Sequence, residues 1–282
     1  MISNTKTLDA LFNEIGKEQE DNITMYVFGG AALMFADLKD ATKDIDIVFA
    51  TKKELKSFTG AIKKIGFETI PITEECLYLK PDGIYTRKDD RFDIFLKKIC
   101  GNLTLSENMK SRAKTHASYG NLSVTVLSFE DIFLLKSIFS RAGDYEDCVA
   151  LFQAGIDWNI VHQEIINQCK ENPANIWKSH LLARIEDMQK RERIKIPIYN
   201  KLFREYEQET FPYLAIFLEL SKADLSYEEL LKKTELDELR LKQALDILTK
   251  NKKIEKTSNE KYTLKVRSIG MFLIASKIDS RN

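Results

Sequence analysis

Three carboxylates on two short alternating segments are the side chains of this sequence best suited to chemistry. Asp44 and Asp46 stand two apart in DIDIVF, and side chains two apart on a β-strand project from the same face. Asp93 has similar surroundings in RFDIFL, where its apolar neighbours are expected to face the core. If the two strands are neighbours, three like charges meet and repel unless a cation neutralises them. We therefore predict a site for Mg²⁺ or Mn²⁺, with one ion or with two ions about 3.5–4 Å apart that clamp the oxygens of a phosphoryl transfer.

A pair of glycines upstream supplies the second feature of this site. Gly29 and Gly30 stand between the apolar segment MYVF and the helical pattern AALMFADL. The first backbone N–H groups of a helix have no partner within the helix and attract anions, and glycine places no side chain in the way. We therefore expect a triphosphate to bind at Gly29 and Gly30.

The composition excludes several classes of protein. The chain has 282 residues, 44% hydrophobic and 30% charged, so it can form a real core and is not disordered as a whole. Its 43 Lys and Arg balance its 43 Asp and Glu, which excludes a strongly basic protein that coats nucleic acid. The longest apolar stretch with few charges, 26–36, is shorter than the about 20 residues of a spanning helix, and 1–21 lacks the apolar core of a signal peptide. A cytoplasmic protein without a membrane partner is therefore expected.

Cysteine and histidine do not form a metal-binding pattern. The four cysteines are too far apart for a zinc or redox pair, and the three histidines share no ligand spacing. Any metal is therefore expected to be a hard ion held by carboxylates. These residues are Cys76, Cys100, Cys148, Cys169, His116, His162 and His180.

The hydrophobic periodicity predicts a mixed α/β domain in roughly the first half of the chain. Alternating or β-branched segments predict strands at 43–50, 91–99 and 122–128, and apolar stripes predict helices at 8–20 and 52–65. After these segments the period becomes helical. The predicted parts are an α/β domain at 1–127, a helical segment at 128–207 and a third domain at 208–282.

The third domain has the element order of a winged helix-turn-helix. Three helical patterns are followed by two short extended arms around the turn sequence SNE. Basic side chains on the third helix and in the wing are expected to contact the phosphates of RNA or DNA, although acids at the start of that helix would be repelled by them. A role in docking a protein partner or in dimerisation therefore stays open. The basic residues are Arg240, Lys242, Lys250, Lys252 and Lys253.

Three separated motifs, taken in order, resemble a known family. GGAALM, DIDIVF and the later FDIF resemble the nucleotidyltransferase superfamily of the DNA polymerase β type, whose pattern is Gly-Gly or Gly-Ser, a spacer, Asp-x-Asp and a third Asp on a nearby strand. SFEDIFLLKSIFSRAGDYEDCVAL resembles the helices of the minimal and AbiEii-type members. The resemblance covers residues 24–155 and departs from many members in having Gly30 where they have Ser.

This resemblance implies the α+β nucleotidyltransferase fold with its mixed sheet, and the transfer of NMP from an NTP substrate to an acceptor. Asp44, Asp46 and Asp93 would hold Mg²⁺ or Mn²⁺, and Asp93 would also be the base that deprotonates the acceptor hydroxyl. The nucleotide-binding residues that the resemblance implies are Gly29, Gly30, Lys136, Arg141 and Asp147.

Each assignment has a simpler structural alternative. An Asp-x-Asp pair is also found on the solvated edges of strands. Lys136 could extend its ammonium from an apolar helix to solvent. Arg141, Asp144 and Asp147 could form an ordinary set of ion pairs on helix surfaces, worth about 0.2–0.5 kcal/mol each.

Two functions are therefore compared. The first is a nucleotidyltransferase that acts on RNA, a protein side chain or a small molecule, and a role as toxin or antitoxin is compatible with the superfamily. The second is a non-catalytic DNA-binding regulator whose transferase-like domain senses nucleotide. The presence of Asp44, Asp46 and Asp93 together favours the enzyme.

Overall fold

The computed structural model describes residues 2–72, 80–99, 103–138 and 142–265. The described residues up to Asp157 form one compact unit, and those from Trp158 onward form a second. The predicted helical segment 128–207 is thus divided between the two units. Among the helices of the described residues, none is long and apolar enough to cross a membrane.

A seven-stranded mixed sheet organises the first unit. Its strand order is β3-β4-β5-β2-β1-β9-β8, and the pairs β2–β5 and β1–β9 are parallel while the remaining pairs are antiparallel. The predicted α+β fold with a mixed sheet is confirmed. The strands are β1 Ile23–Phe28, β2 Ile45–Phe49, β3 Glu68–Ile70, β4 Gly83–Arg87, β5 Asp90–Leu96, β8 Lys114–Tyr119 and β9 Leu122–Val126, and a separate small pair is β6 Lys98–Ile99 with β7 Leu103–Thr104.

Two helices cover one face of this sheet, α1 (Thr5–Glu18) and α3 (Lys52–Lys64). The hydroxyl of Thr51 and the carboxylate of Glu54 form a reciprocal cap at the start of α3. The ring of Phe58 on α3 lies 5.1 Å from that of Phe49 on β2 and 5.4 Å from that of Phe92 on β5. Because side chains alternate along a strand, Asp46 and Asp93 project from the opposite face.

The described residues of the first unit form four further helices. They are α2 Gly29–Phe35, α4 Glu107–Arg112, α5 Phe129–Ile138 and α6 Ala142–Ala154.

Both predicted carboxylate strands are shorter in the structure than in the sequence-based prediction. The strand predicted at 43–50 runs from Ile45 to Phe49, so Asp44 precedes it. The strand predicted at 91–99 ends at Leu96, because Lys97 has a left-handed φ of +62° that interrupts an extended chain. The residues beyond it, Lys98–Ile99, pair in a different sheet.

Helices dominate the second unit. A π-helical turn, Tyr206–Thr210, joins two of them. The hydrophobic core around the three C-terminal helices also contains Ala174 and Ile176, so the predicted domain 208–282 shares its core with residues before it. The helices are α7 Trp158–Glu171, α8 Trp177–Glu192, α9 Tyr199–Glu205, α10 Phe211–Lys222, α11 Tyr227–Thr234 and α12 Glu238–Lys250.

A hairpin follows the last of these helices. Its strands, β10 Ile254–Lys256 and β11 Tyr262–Leu264, pair antiparallel. Leu225, between α10 and α11, adds a third extended position, since its backbone N–H and C=O both bond to Tyr262 at 3.2 and 2.7 Å. The expected order of three helices and a hairpin is therefore present.

Candidate active site

The sheet brings two of the three predicted carboxylates together. Asp46 on β2 and Asp93 on β5 are register partners in a parallel pair, so their backbones lie about 4.8 Å apart, which is the usual distance between strands. Asp44 lies one residue before β2 and is half-buried, and its carbonyl accepts a hydrogen bond of 2.9 Å from the hydroxyl of Thr42. The structure thus places Asp46 and Asp93 side by side and Asp44 at the entrance to the strand.

The two glycines are packed against this site. Gly29 has a φ of +68°, and a Cβ at this residue would stand 2.0 Å from Oδ2 of Asp46. A Cβ at Gly30 would stand 2.4 Å from the hydroxyl oxygen of Thr42. The sequence analysis explained the two glycines by the close approach of a phosphate. In the structure, the Asp46 carboxylate and the Thr42 hydroxyl already occupy the space that side chains at these two positions would need.

Asp93 is held by an arginine that the sequence analysis did not single out. The Asp93 side chain is 2% exposed, and its Oδ1 and Oδ2 accept hydrogen bonds from Nε and Nη2 of Arg91 at 2.7 and 2.9 Å. Such a two-pronged, charge-assisted contact fixes the carboxylate plane and compensates its charge. The signal in the sequence was the spacing, since residues 91 and 93 share one face of a strand.

Helix α5 carries Lys136 towards the carboxylates. The helix begins after Ser128, whose hydroxyl caps it by accepting a hydrogen bond of 3.3 Å from the N–H of Asp131. Lys136 lies two turns further on and its side chain is 9% exposed. It therefore does not extend its ammonium to solvent.

Lys136 is paired with both acids of the next helix. Its Nζ lies 2.9 Å from Oδ1 of Asp144 and 2.8 Å from Oδ2 of Asp147. Burial lowers the pKa of Lys136, but the negative charges of Asp144 and Asp147, together with that of Asp46, raise it above its ordinary value overall. The ammonium is therefore charged at neutral pH, and Asp144 and Asp147 belong to a buried network rather than to a helix surface. Arg141 lies outside the described residues.

A second lysine joins this network. Nζ of Lys39, in the segment between α2 and β2, lies 2.7 and 3.0 Å from the two carboxylate oxygens of Asp147. The two residues are 108 positions apart in the sequence, so no local spacing pointed to this pair.

The carboxylate oxygens of this site are the type of ligand that a hard cation prefers, but they are not arranged as a complete set of metal ligands among the described residues. Within the described ranges, no three His, Cys, Asp or Glu side chains are arranged to hold a metal ion. Asp46 and Asp44 offer the carboxylate oxygens that Mg²⁺ prefers. Asp93 adjoins Asp46, and its oxygens face Arg91.

Gly29→Ala is expected to damage this site. The added methyl group would collide with the Asp46 carboxylate, and a non-glycine residue at positive φ costs about 1–2 kcal/mol. We expect a lower free energy of unfolding and a large loss of any activity that depends on Asp46. Gly60→Ala in the exposed interior of α3 is the matched control, because a Cβ there meets nothing within 4 Å and should stabilise the helix by roughly 0.5–1 kcal/mol. Equal urea-unfolding midpoints for the two variants would contradict this account.

Comparison with known proteins identifies the family of this chain. The structure is similar to the crystal structure of ANT(2'')-Ia in complex with adenylyl-2''-tobramycin, with a TM-score of 0.41 and 13% identity over 58% of this chain and 98% of that one. It is also similar to the solution structure of the antibiotic-resistance factor ANT(2'')-Ia, with a TM-score of 0.34 and 12% identity over 67% of this chain and 97% of that one. No curated protein sequence matches this chain. Residues 5–193, well over half of the chain, match the family described as "Nucleotidyltransferase of unknown function (DUF6036)". The chain therefore belongs to this nucleotidyltransferase family and is an enzyme that transfers nucleotidyl groups.

Proposed function

We propose that this protein transfers a nucleoside monophosphate from an NTP to an acceptor hydroxyl, in a reaction that depends on Mg²⁺ or Mn²⁺. The observation that carries this proposal is the register pair of Asp46 and Asp93, with Gly29 packed against Asp46. The charge of Asp46 also acts on Lys136, so the sheet site and the helical network are neighbours.

The three carboxylates are proposed to have two roles, metal binding and proton transfer. Asp44, Asp46 and Asp93 would hold the metal, which supplies charge neutralisation at the phosphates when it is bound. Asp93 is the base: it takes the proton as the acceptor oxygen forms a bond to the α-phosphorus and the bond to pyrophosphate breaks. Arg91 donates a hydrogen bond to each oxygen of Asp93 and so holds the carboxylate in a fixed orientation for this step.

The nucleotide would lie along the glycines. Gly29 and Gly30 keep the start of α2 free of side chains, and Phe28 before them has no group that could cap the helix. Lys136 would supply positive charge beside the nucleotide, since its pairing with Asp144 and Asp147 raises its pKa despite its burial. Arg141 is assigned to the same site from the family resemblance alone.

The second unit is proposed to carry a winged helix that contacts the substrate or a partner. The backbone pairing of Leu225 with Tyr262 supports this proposal. It joins the hairpin to the segment between α10 and α11, as a third strand does in a winged helix. Lys242, Lys250 and Lys252 are exposed at or just after the third helix.

Other basic residues in this part of the chain are engaged within the protein. Arg240 donates a 2.5 Å hydrogen bond to the carbonyl of Glu207 and lies over the ring of Phe211. Lys265 pairs with Glu255 at 3.1 Å. If the surface binds RNA or DNA, Lys242→Glu with Lys250→Glu should weaken binding and reduce its dependence on salt in a fluorescence-anisotropy titration. Unchanged affinity would favour a protein partner.

Metal and nucleotide together should stabilise the protein. A ligand that binds only the folded state at 100 times its Kd adds about 2.7 kcal/mol of stability. We therefore expect an NTP with millimolar Mg²⁺ to raise the Tm, and Asp46→Asn to remove most of this increase while the variant remains folded. Wild-type protein that shows no shift with any of the four NTPs would contradict the proposed function.

A further inference from the structure

Asp147 is shared by two lysines that differ in their access to solvent. Its Oδ2 lies 2.8 Å from Nζ of Lys136, and both of its oxygens accept hydrogen bonds from Nζ of Lys39. Together with Asp144, these side chains form a group of two ammonium and two carboxylate charges that is neutral as a whole.

Only one member of this four-residue network is substantially exposed. The Lys39 side chain is 30% exposed, whereas those of Lys136, Asp144 and Asp147 are 9%, 2% and 7% exposed. An ion pair whose ammonium already reaches water is weakly held, whereas separating a buried pair leaves a charge without compensation. Lys39 can therefore exchange its partner, and Lys136 cannot do so at comparable cost.

The stem of Lys39 runs beside the glycines. Its Cδ is 3.8 Å from the position that a Cβ of Gly30 would occupy, and a Cβ of Gly29 would meet Asp46. Lys39 thus lies on the exposed side of the network, next to the segment along which the proposed nucleotide lies.

We infer that Lys39 is the side chain that contacts the polyphosphate of the NTP, and that it moves from Asp147 to a phosphate oxygen when the nucleotide binds. Lys136 then acts as a positioning residue: it stays with Asp144 and Asp147 and compensates the charge of Asp147 after Lys39 leaves. This inference rests on the proposed function, refines the role expected of Lys136, and names a residue that the family motifs did not include.

The test compares Lys39→Met, Lys39→Arg and Lys56→Met in the full chain. Methionine keeps the apolar stem beside Gly30, and Asp147 still has Lys136, so the variant should fold with an unchanged circular dichroism spectrum. Lys56 is an exposed lysine on α3, on the opposite face of the sheet. Isothermal titration with Mg²⁺ measures binding of each of the four NTPs, of inorganic tripolyphosphate and of the matching nucleosides.

We expect Lys39→Met to weaken binding of NTP and of tripolyphosphate about tenfold, which corresponds to about 1.4 kcal/mol, and to leave nucleoside binding unchanged. Lys39→Arg should restore most of the affinity, and Lys56→Met should behave as wild type. If wild type binds NTP and Lys39→Met binds it equally well, the inference about Lys39 is wrong and the proposed function stands. An equal loss of affinity for nucleoside and NTP would show a structural effect and also overturn the inference. If wild type binds none of the NTPs, the proposed function itself fails.

Discussion

Asp93→Asn is expected to reduce nucleotidyl transfer by about 10²–10⁴-fold, the usual contribution of a general base. The substitution keeps the shape of the side chain and removes its ability to take the acceptor proton. NTP affinity should stay within about tenfold of wild type, since Asp44 and Asp46 remain. The fold should tolerate the change, because Arg91 is 31% exposed and can turn to water when its partner loses its charge. Initial rates of label transfer and isothermal titration with NTP measure the two quantities separately.

Asp90→Asn is the matched control for this variant. Asp90 begins the same strand, and its carboxylate lies 3.5 Å from Arg87 rather than in the site. Its substitution should leave both the transfer rate and the NTP affinity unchanged. Wild-type rates in Asp93→Asn would exclude Asp93 as the base, and a loss of NTP affinity well beyond tenfold would assign it to nucleotide binding instead.

Lys136→Met should lower the free energy of unfolding by about 3–5 kcal/mol, as is typical when one member of a buried ion pair is removed. Asp144 and Asp147 would lose the ammonium that they share, and both are almost fully buried. A loss of this size is a large part of the about 5–15 kcal/mol that stabilises most proteins. Urea unfolding followed by circular dichroism measures it.

Two further variants separate charge from packing at this position. Lys136→Met combined with Asp144→Asn should recover part of the lost stability, because it removes a carboxylate along with its partner. Lys170→Met, on an exposed helix position, should change stability by less than about 0.5 kcal/mol. No recovery in the double variant would show that the charge network does not account for the loss.

The pH dependence of this contribution follows from the direction of the pKa shift. The pKa of Lys136 is raised in the folded protein, so its stabilising contribution is complete below the unfolded value of about 10.4 and is lost only as the pH rises through the folded pKa. Titration of Lys136 should therefore not change the difference in unfolding free energy between wild type and Lys136→Met from pH 7 to pH 9.

Local periodicity was sufficient to predict the two strands that carry Asp46 and Asp93, and the face of those strands on which these two carboxylates lie. Ile45, Ile47 and Phe49 alternate with Asp46, and an alternation of two residues decides which side chains are buried once one face is covered. That the strands of Asp46 and Asp93 are neighbours was a hypothesis. The structure confirms it, because the two residues are register partners on paired strands. Asp44 lies outside the strand, so its orientation does not follow from the period of two.

The partners of the site residues could not be predicted in the same way. Lys39 and Asp147 are brought together by the tertiary fold, and no pattern over a few residues encodes a contact between residues 108 positions apart. The contact between Arg91 and Asp93 is local, since the two residues share one face of a strand. However, an arginine two residues from a carboxylate is too common in sequences to predict an ion pair. For Lys136, an apolar helix was compatible with either solvent exposure or burial, and only the position of Asp144 and Asp147 decided between them.

Transfer from NTPs labelled separately at the α- and γ-phosphates tests the central claim most directly. Wild-type protein with Mg²⁺ is incubated with fractions of RNA, protein and small molecules from cell extract, and each fraction is examined for label. The account predicts that the α-label becomes attached to one of these acceptors and that the γ-label leaves as pyrophosphate. It also predicts that Asp46→Asn and Asp93→Asn attach far less of the α-label than wild type. Attachment of the γ-label, or no transfer by wild type together with tight sequence-specific DNA binding, would contradict it.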